Sequence, residues 1–217
     1  MSSALKPERP SQSGLAGRLE GLRQELARVS AEVIAERAGV NYHPLGQDEG
    51  EFRLAFFGAP VVVTYPSFVV IDYQDKRLPL PSQAALAYYF HTSDGTPLSG
   101  EWISFAELPD GRTYNQAFQG YSGDELVRVF GEDVEAFKNT CEKSGGAPMP
   151  FGDAGFIFYA LPRLPLLVTY WRGEDVFPSS CKMLFDRVAF HYMPTDVCAI
   201  LGGMLARRLV KAVGEAG

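Results

Sequence analysis

From Leu15 onward, the apolar residues Leu15, Leu19, Leu22, Leu26, Val29 and Val33 follow one another in alternating steps of four and three. That period lays them along one side of a helix, and Gly39 supplies a stop. The seam spans fewer than four heptads, so it predicts an amphipathic N-terminal helix that docks on its own domain. Zipping against a partner helix is the alternative.

Beyond a polar, turn-rich stretch over 41–50, the pattern changes to short runs of β-branched and aromatic residues: Phe52 to Phe57, Val61 to Tyr65 and Phe68 to Tyr73. Gly58, Pro60 and Pro66 fall between them, where a missing amide does least harm to a ladder, so the runs read as an antiparallel meander. Leu80-Pro81-Ser82 opens a nearly all-apolar run to Phe90, a buried helix with proline in its first turn, broken by Ser93-Asp94-Gly95. Trp102 to Phe105 reads as a strand, Gly123 to Phe130 and Asp133 to Cys141 as short helices. Glycine and proline dominate Ser144 to Asp153, which predicts a loop with no regular structure. Strands return at Phe156 to Ala160, Leu166 to Trp171 and Lys182 to Phe185, and a closing helix gathers Val197, Ile200, Leu201, Met204, Leu205 and Leu209 on one face.

The two halves share an order of parts. Each has a strand, a strand containing Val-Thr-Tyr (Val63 to Tyr65; Val168 to Tyr170), a strand ending in aspartate (Asp72; Asp186), and a helix begun by proline (Pro81; Pro194). This suggests duplicated βββα units, the second carrying an insertion over 172–180. The fold class is α+β, with mostly antiparallel sheet packed against helices. Residues 1–13, punctuated by Pro7, Pro10 and serines, have too little apolar surface to pack and are expected to be a disordered tail. Residues 14–217 are expected to form one domain.

Composition narrows the partners. At 46% hydrophobic and 21% charged the 217-residue chain is of globular type, and a formal charge of −6 without any Lys/Arg-rich run argues against nucleic acid. No stretch reads as a signal peptide or membrane span, so a cytoplasmic protein away from membranes is expected. Cys141, Cys181 and Cys198 are far apart and lack the short spacing of zinc or iron–sulfur sites, so they read as reduced thiols.

No phosphate loop, dinucleotide fingerprint, His-Glu-x-x-His or nucleophile elbow is present. His43, His91 and His191 are isolated, and a site would need the fold to gather them. A thiolate–imidazole pair would join Cys181 or Cys198 to His191, although Cys198 falls inside an apolar helix. The segment from Trp171 to Pro178 is the better candidate, because it joins Glu174, Asp175 and Arg172 to flanking aromatics in a turn. With Asp153 brought near by folding, such carboxylates suit a hard cation or acid–base work; a solvated turn is the plainer reading. Arg163, set between Leu161-Pro162 and Leu164-Pro165, would meet an anionic ligand or pair with a carboxylate. Trp102, Tyr114, Phe118 and Tyr121 offer aromatic surface for a pocket wall or for the core.

The strings Gly95 to Gly111, Tyr159 to Leu166, Trp171 to Pro178, Leu184-Phe185-Asp186 and Tyr192 to Asp196 together resemble the domain-of-unknown-function family numbered 3786. Where that family has Gly-Asp-Glu-Glu-Phe-Pro, this chain has Gly173-Glu174-Asp175-Val176-Phe177-Pro178, one acidic position fewer. The resemblance implies a setting in anaerobic bacteria and archaea, where some members carry an added iron–sulfur domain similar to that of corrinoid proteins. This chain lacks the clustered cysteines of that domain. Candidate ligand-binding residues are therefore Asp153, Arg163, Trp171, Glu174, Asp175 and Asp186; no catalytic residue, metal or cofactor is assigned. The function expected first is a ligand- or partner-binding accessory protein in anaerobic redox or corrinoid-linked metabolism. A carboxylate-based enzyme and an interaction module using the N-terminal helix are the alternatives.

Overall fold

The computed structural model describes residues 12–174 and 176–214. Asp175 and nearly all of the expected tail lie outside the described residues, while Gln12 and Ser13 already belong to the first helix.

The N-terminal seam forms two helices, α1 (Gln12–Leu26) and α2 (Ala31–Ala38), where one was expected. A turn over 27–29 separates them, with Val29 giving its carbonyl to the Tyr65 hydroxyl at 3.0 Å. Beyond the turn the buried set becomes Ala31, Ile34, Ala35 and Ala38, spaced i, i+3, i+4, i+7, so the stripe restarts one position after Val33. Gly39 ends α2 in the left-handed region at φ 65°, its amide bonded to Glu36 and the following amide to Ala35. The seam docks within the chain: Leu19 and Leu22 are buried against Ala87 of α3 (Leu80–Thr92), and Leu26 enters the main core.

The first sheet is antiparallel in the order β1 (Asn41–Pro44), β2 (Gly50–Phe56), β3 (Ala59–Tyr65), β4 (Val70–Asp72). The last three are the expected meander. β1 arises in a stretch read as loop, because Tyr42 packs on Phe52 and Tyr65 and so pins an otherwise polar edge. Its ring crosses Gly50 so closely that a Cβ there would sit 2.3 Å from the Tyr42 hydroxyl.

The second sheet, also antiparallel, runs β5 (Trp102–Ser104), β9 (Ser180–Asp186), β8 (Leu164–Trp171), β7 (Ala154–Leu161), β6 (Ala147–Met149). β6 corrects the expected irregular loop: Pro148 is tolerated because β6 is an edge strand with only β7 beside it. In each half an antiparallel three-strand meander leads to a helix begun by proline: β2, β3, β4, α3, and β7, β8, β9, α7 (Thr195–Gly214).

Helices α4 (Gly111–Tyr121), α5 (Gly123–Phe130), α6 (Val134–Lys143) and α7 cover one face of this sheet. Phe137 of α6 meets Phe156 and Tyr170, Phe118 of α4 meets Phe185, and Gly202 of α7 lies against Met183. The two sheets share one hydrophobic cluster from Leu26 to Leu209, and the Phe57 amide bonds the Ala160 carbonyl at 3.0 Å. Among the described residues no helix is long and apolar enough to cross a membrane.

Candidate functional site

The candidate residues fall at opposite ends of the second sheet. Arg163 and Asp186 sit by the start of β8, whereas Asp153, Trp171 and Glu174 sit by its end; seven residue steps of strand separate these ends by about 23 Å. A site needing Asp153, Glu174 and Arg163 in one cleft is therefore not assembled.

At the Arg163 end, the segment over 94–101 is strapped to the core. Asp186, 2% exposed, accepts the amides of Ser99 (3.2 Å), Gly100 (2.8 Å) and Val188 (3.0 Å) and the Ser99 hydroxyl (2.7 Å). Burial is the largest influence on its carboxyl and pushes the pKa up, but these hydrogen bonds together outweigh it and hold the group below the usual carboxylate range. Arg163 donates to the Gly95 carbonyl and the Tyr192 hydroxyl, and its amide donates to the Tyr89 hydroxyl, which itself donates to the Ala38 carbonyl at 2.6 Å. The Tyr192 hydroxyl bonds the Thr96 carbonyl. The fold also gathers a histidine here: His191 Nδ1 lies 2.6 Å from Asp94 and 3.2 Å from the Thr96 hydroxyl. Hydrogen bonds from Thr96, then from His191, lower the Asp94 pKa to about 2.

At the other end, Asp153 caps a turn by accepting the Arg172 amide at 2.7 Å. Glu174 is exposed and bridges to Phe177 through backbone alone. Trp171 stacks edge-on with Phe151 and lies 5.7 Å below the Lys182 ammonium.

A cavity of about 590 Å³ opens beside Lys182, lined by Ser104, Asn115, Gln119, Asp124, Val127 and Ser179 to Lys182. It exists because β5 pairs only with Leu184 to Asp186, leaving the earlier half of β9 with α5 and α4 beside it instead of a strand. Gly123 draws α5 down: a Cβ there would meet the Cys181 carbonyl oxygen at 2.1 Å. Asn115 and Gln119, four residues apart on α4, present their amides on one face. The Asn115 Oδ1 atom is, among the described residues, the one buried side-chain nitrogen or oxygen without a hydrogen-bond partner. The 172–179 insertion contributes a wall, since the Ser179 hydroxyl accepts the Gly173 amide and donates to Glu132.

Sequence reasoning singled out Trp171, which touches this site through Lys182, and missed Asn115, Gln119, Asp124 and Lys182. One signal was present: Tyr114, Phe118 and Tyr121 recur at helical spacing and imply α4, which in turn places Asn115 and Gln119 together.

Cys141, Cys181 and Cys198 are free and buried. Burial pushes every one of these thiols up, away from the thiolate that metal binding and nucleophilic attack require. His191 pairs with Asp94 and not with a thiol, and Cys198 points at the Met193 carbonyl. These residues do not fit an iron–sulfur cluster. Among the described residues no group of three or more His, Cys, Asp or Glu side chains is placed to hold a metal ion.

No curated protein and no solved structure matches the chain. A family model described as Domain of unknown function (DUF3786) matches residues 30–208, from the cap of α2 into the last turns of α7. With most of its length so matched, the chain belongs to the DUF3786 family.

Proposed function

We propose that this chain is a ligand-binding accessory protein that holds a small polar molecule in the cavity between α4, α5 and the open half of β9. The observation that carries this reading is the Asn115 carbonyl oxygen, buried without a donor in the wall of a cavity of about 590 Å³. An unmet buried acceptor costs about 1–3 kcal/mol, a penalty that a ligand bearing a hydrogen-bond donor removes. The volume falls within the roughly 300–1,000 Å³ of small-molecule sites, and the lining is polar enough to orient a guest.

The family resemblance suggests the setting, anaerobic redox or corrinoid-linked metabolism, in which the chain would serve by binding a metabolite or presenting it to a partner. Native mass spectrometry on protein purified without oxygen from its own source tests the reading. The expected result is a retained small molecule, lost on Asn115→Ala. Protein that carries none, or a molecule retained equally by the variant, overturns it.

A further inference from the structure

Two charged side chains of opposite sign, Asp124 and Lys182, line this cavity, and neither takes part in any ion pair among the described residues. Their neighbours behave differently. Glu125 pairs with Arg128, Glu135 with Lys138, and Glu132 reaches Arg172. Asp124 opens α5, and an acidic residue suits the first turn of any helix. That position does not account for the Asn115 oxygen buried without a donor in the same cavity, nor for a cation on β9 left without an anion.

We infer that the ligand is a small zwitterion, a free amino acid or a close relative, with its carboxylate toward Lys182 and its ammonium toward Asp124 and Asn115. The inference rests on the reading of the cavity as a ligand site. Each simpler class leaves a conflict. An inorganic or organic anion would face Asp124 and supply no donor to Asn115. A cation alone would face Lys182. An apolar guest would cover both charges and leave the Asn115 oxygen unmet, which burial makes costly. A molecule carrying an N–H-bearing cation at one end and an anion at the other meets all three groups with charge-assisted hydrogen bonds. The free amide of Gln119 and the Ser180 hydroxyl remain for its side chain.

Calorimetry with the common L-amino acids, each beside its N-acetyl and carboxamide forms, tests this. At least one free amino acid is expected to bind, and both blocked forms to bind about ten- to a hundredfold more weakly. Asp124 and Lys182 are exposed, so Asp124→Asn and Lys182→Met leave the fold intact. Asp124→Asn should erase the preference over the N-acetyl form and Lys182→Met the preference over the carboxamide. Blocked forms that bind as well as free ones overturn the zwitterion. If no amino acid binds while protein from its own source retains another molecule released by Asn115→Ala, the ligand class is wrong and the cavity reading stands. If no amino acid binds and the native protein is bare, both fall.

Discussion

The strap around Asp186 and the cavity around Asn115 are both clusters of polar side chains at the margins of the second sheet, and they treat hydrogen bonding in opposite ways. At the strap, Asp186 accepts four bonds, Arg163 and Tyr89 pass theirs on to carbonyls and hydroxyls, and His191 is held by Asp94 and Thr96. Every demand is met from within the chain. At the cavity, an amide oxygen is buried without a donor and two opposite charges stand unpaired. The difference separates a cluster that fixes the backbone from one that awaits another molecule, although both were built from the same residue types.

The comparison breaks most readily at Asp186. Asp186→Ala removes a buried acceptor from three amides and a hydroxyl, and is expected to cost about 3 kcal/mol, read by urea denaturation. Amide exchange should rise first at Ser99, Gly100 and Val188. A loss below about 0.5 kcal/mol, the range of ordinary surface changes, would mean that the strap does not depend on this carboxylate.

Acid should act on the same cluster with smaller effect. Asp94 has a folded pKa of about 2, below its unfolded value of roughly 4, so its contribution is in place above the unfolded value and disappears as pH falls through about 2. Asp186 is depressed too and adds in the same direction. Asp94 is half exposed, which limits its own share to under about 1 kcal/mol. Thermal melts between neutral and strongly acidic pH should therefore fall less steeply for Asp94→Asn than for the parent chain. Parallel curves would remove Asp94 from the set of pins.

What could be read from the chain follows from where each element gets its stability. β2, β3, β7, β8, α3 and α7 carry their own apolar patterns and were legible. β1, β6 and α4 were not, because a three-residue edge strand containing Pro148 exists through its bonds to β7, and α4 buries little beyond Phe118. Arg163 and Asp186 drew notice for their chemistry, and the fold uses that chemistry on its own backbone. The cavity residues lie on α4, α5 and β9 and meet only because Gly123 lets α5 approach Cys181. No local pattern records such a meeting, whereas the insertion after Trp171 was conspicuous and contributes only Ser179 and Ser180 to the wall.

The smallest stability effect should come from the residue that matters most for binding. Asn115→Ala removes an acceptor that no group in the chain satisfies, so nothing inside is orphaned by its loss. Alanine also favours the middle of α4 over asparagine by a few tenths of a kcal/mol. The melting midpoint should hold or rise slightly, within about 0.5 kcal/mol, while retention of the native ligand is lost. A cost above about 1 kcal/mol would give Asn115 an internal duty like that of Asp186. The two clusters would then differ only in degree, and the case for a guest in the cavity would lose its physical basis. Stability held with binding lost is the opposite of what any residue of the strap can do, since there each polar atom removed strands a partner within the fold.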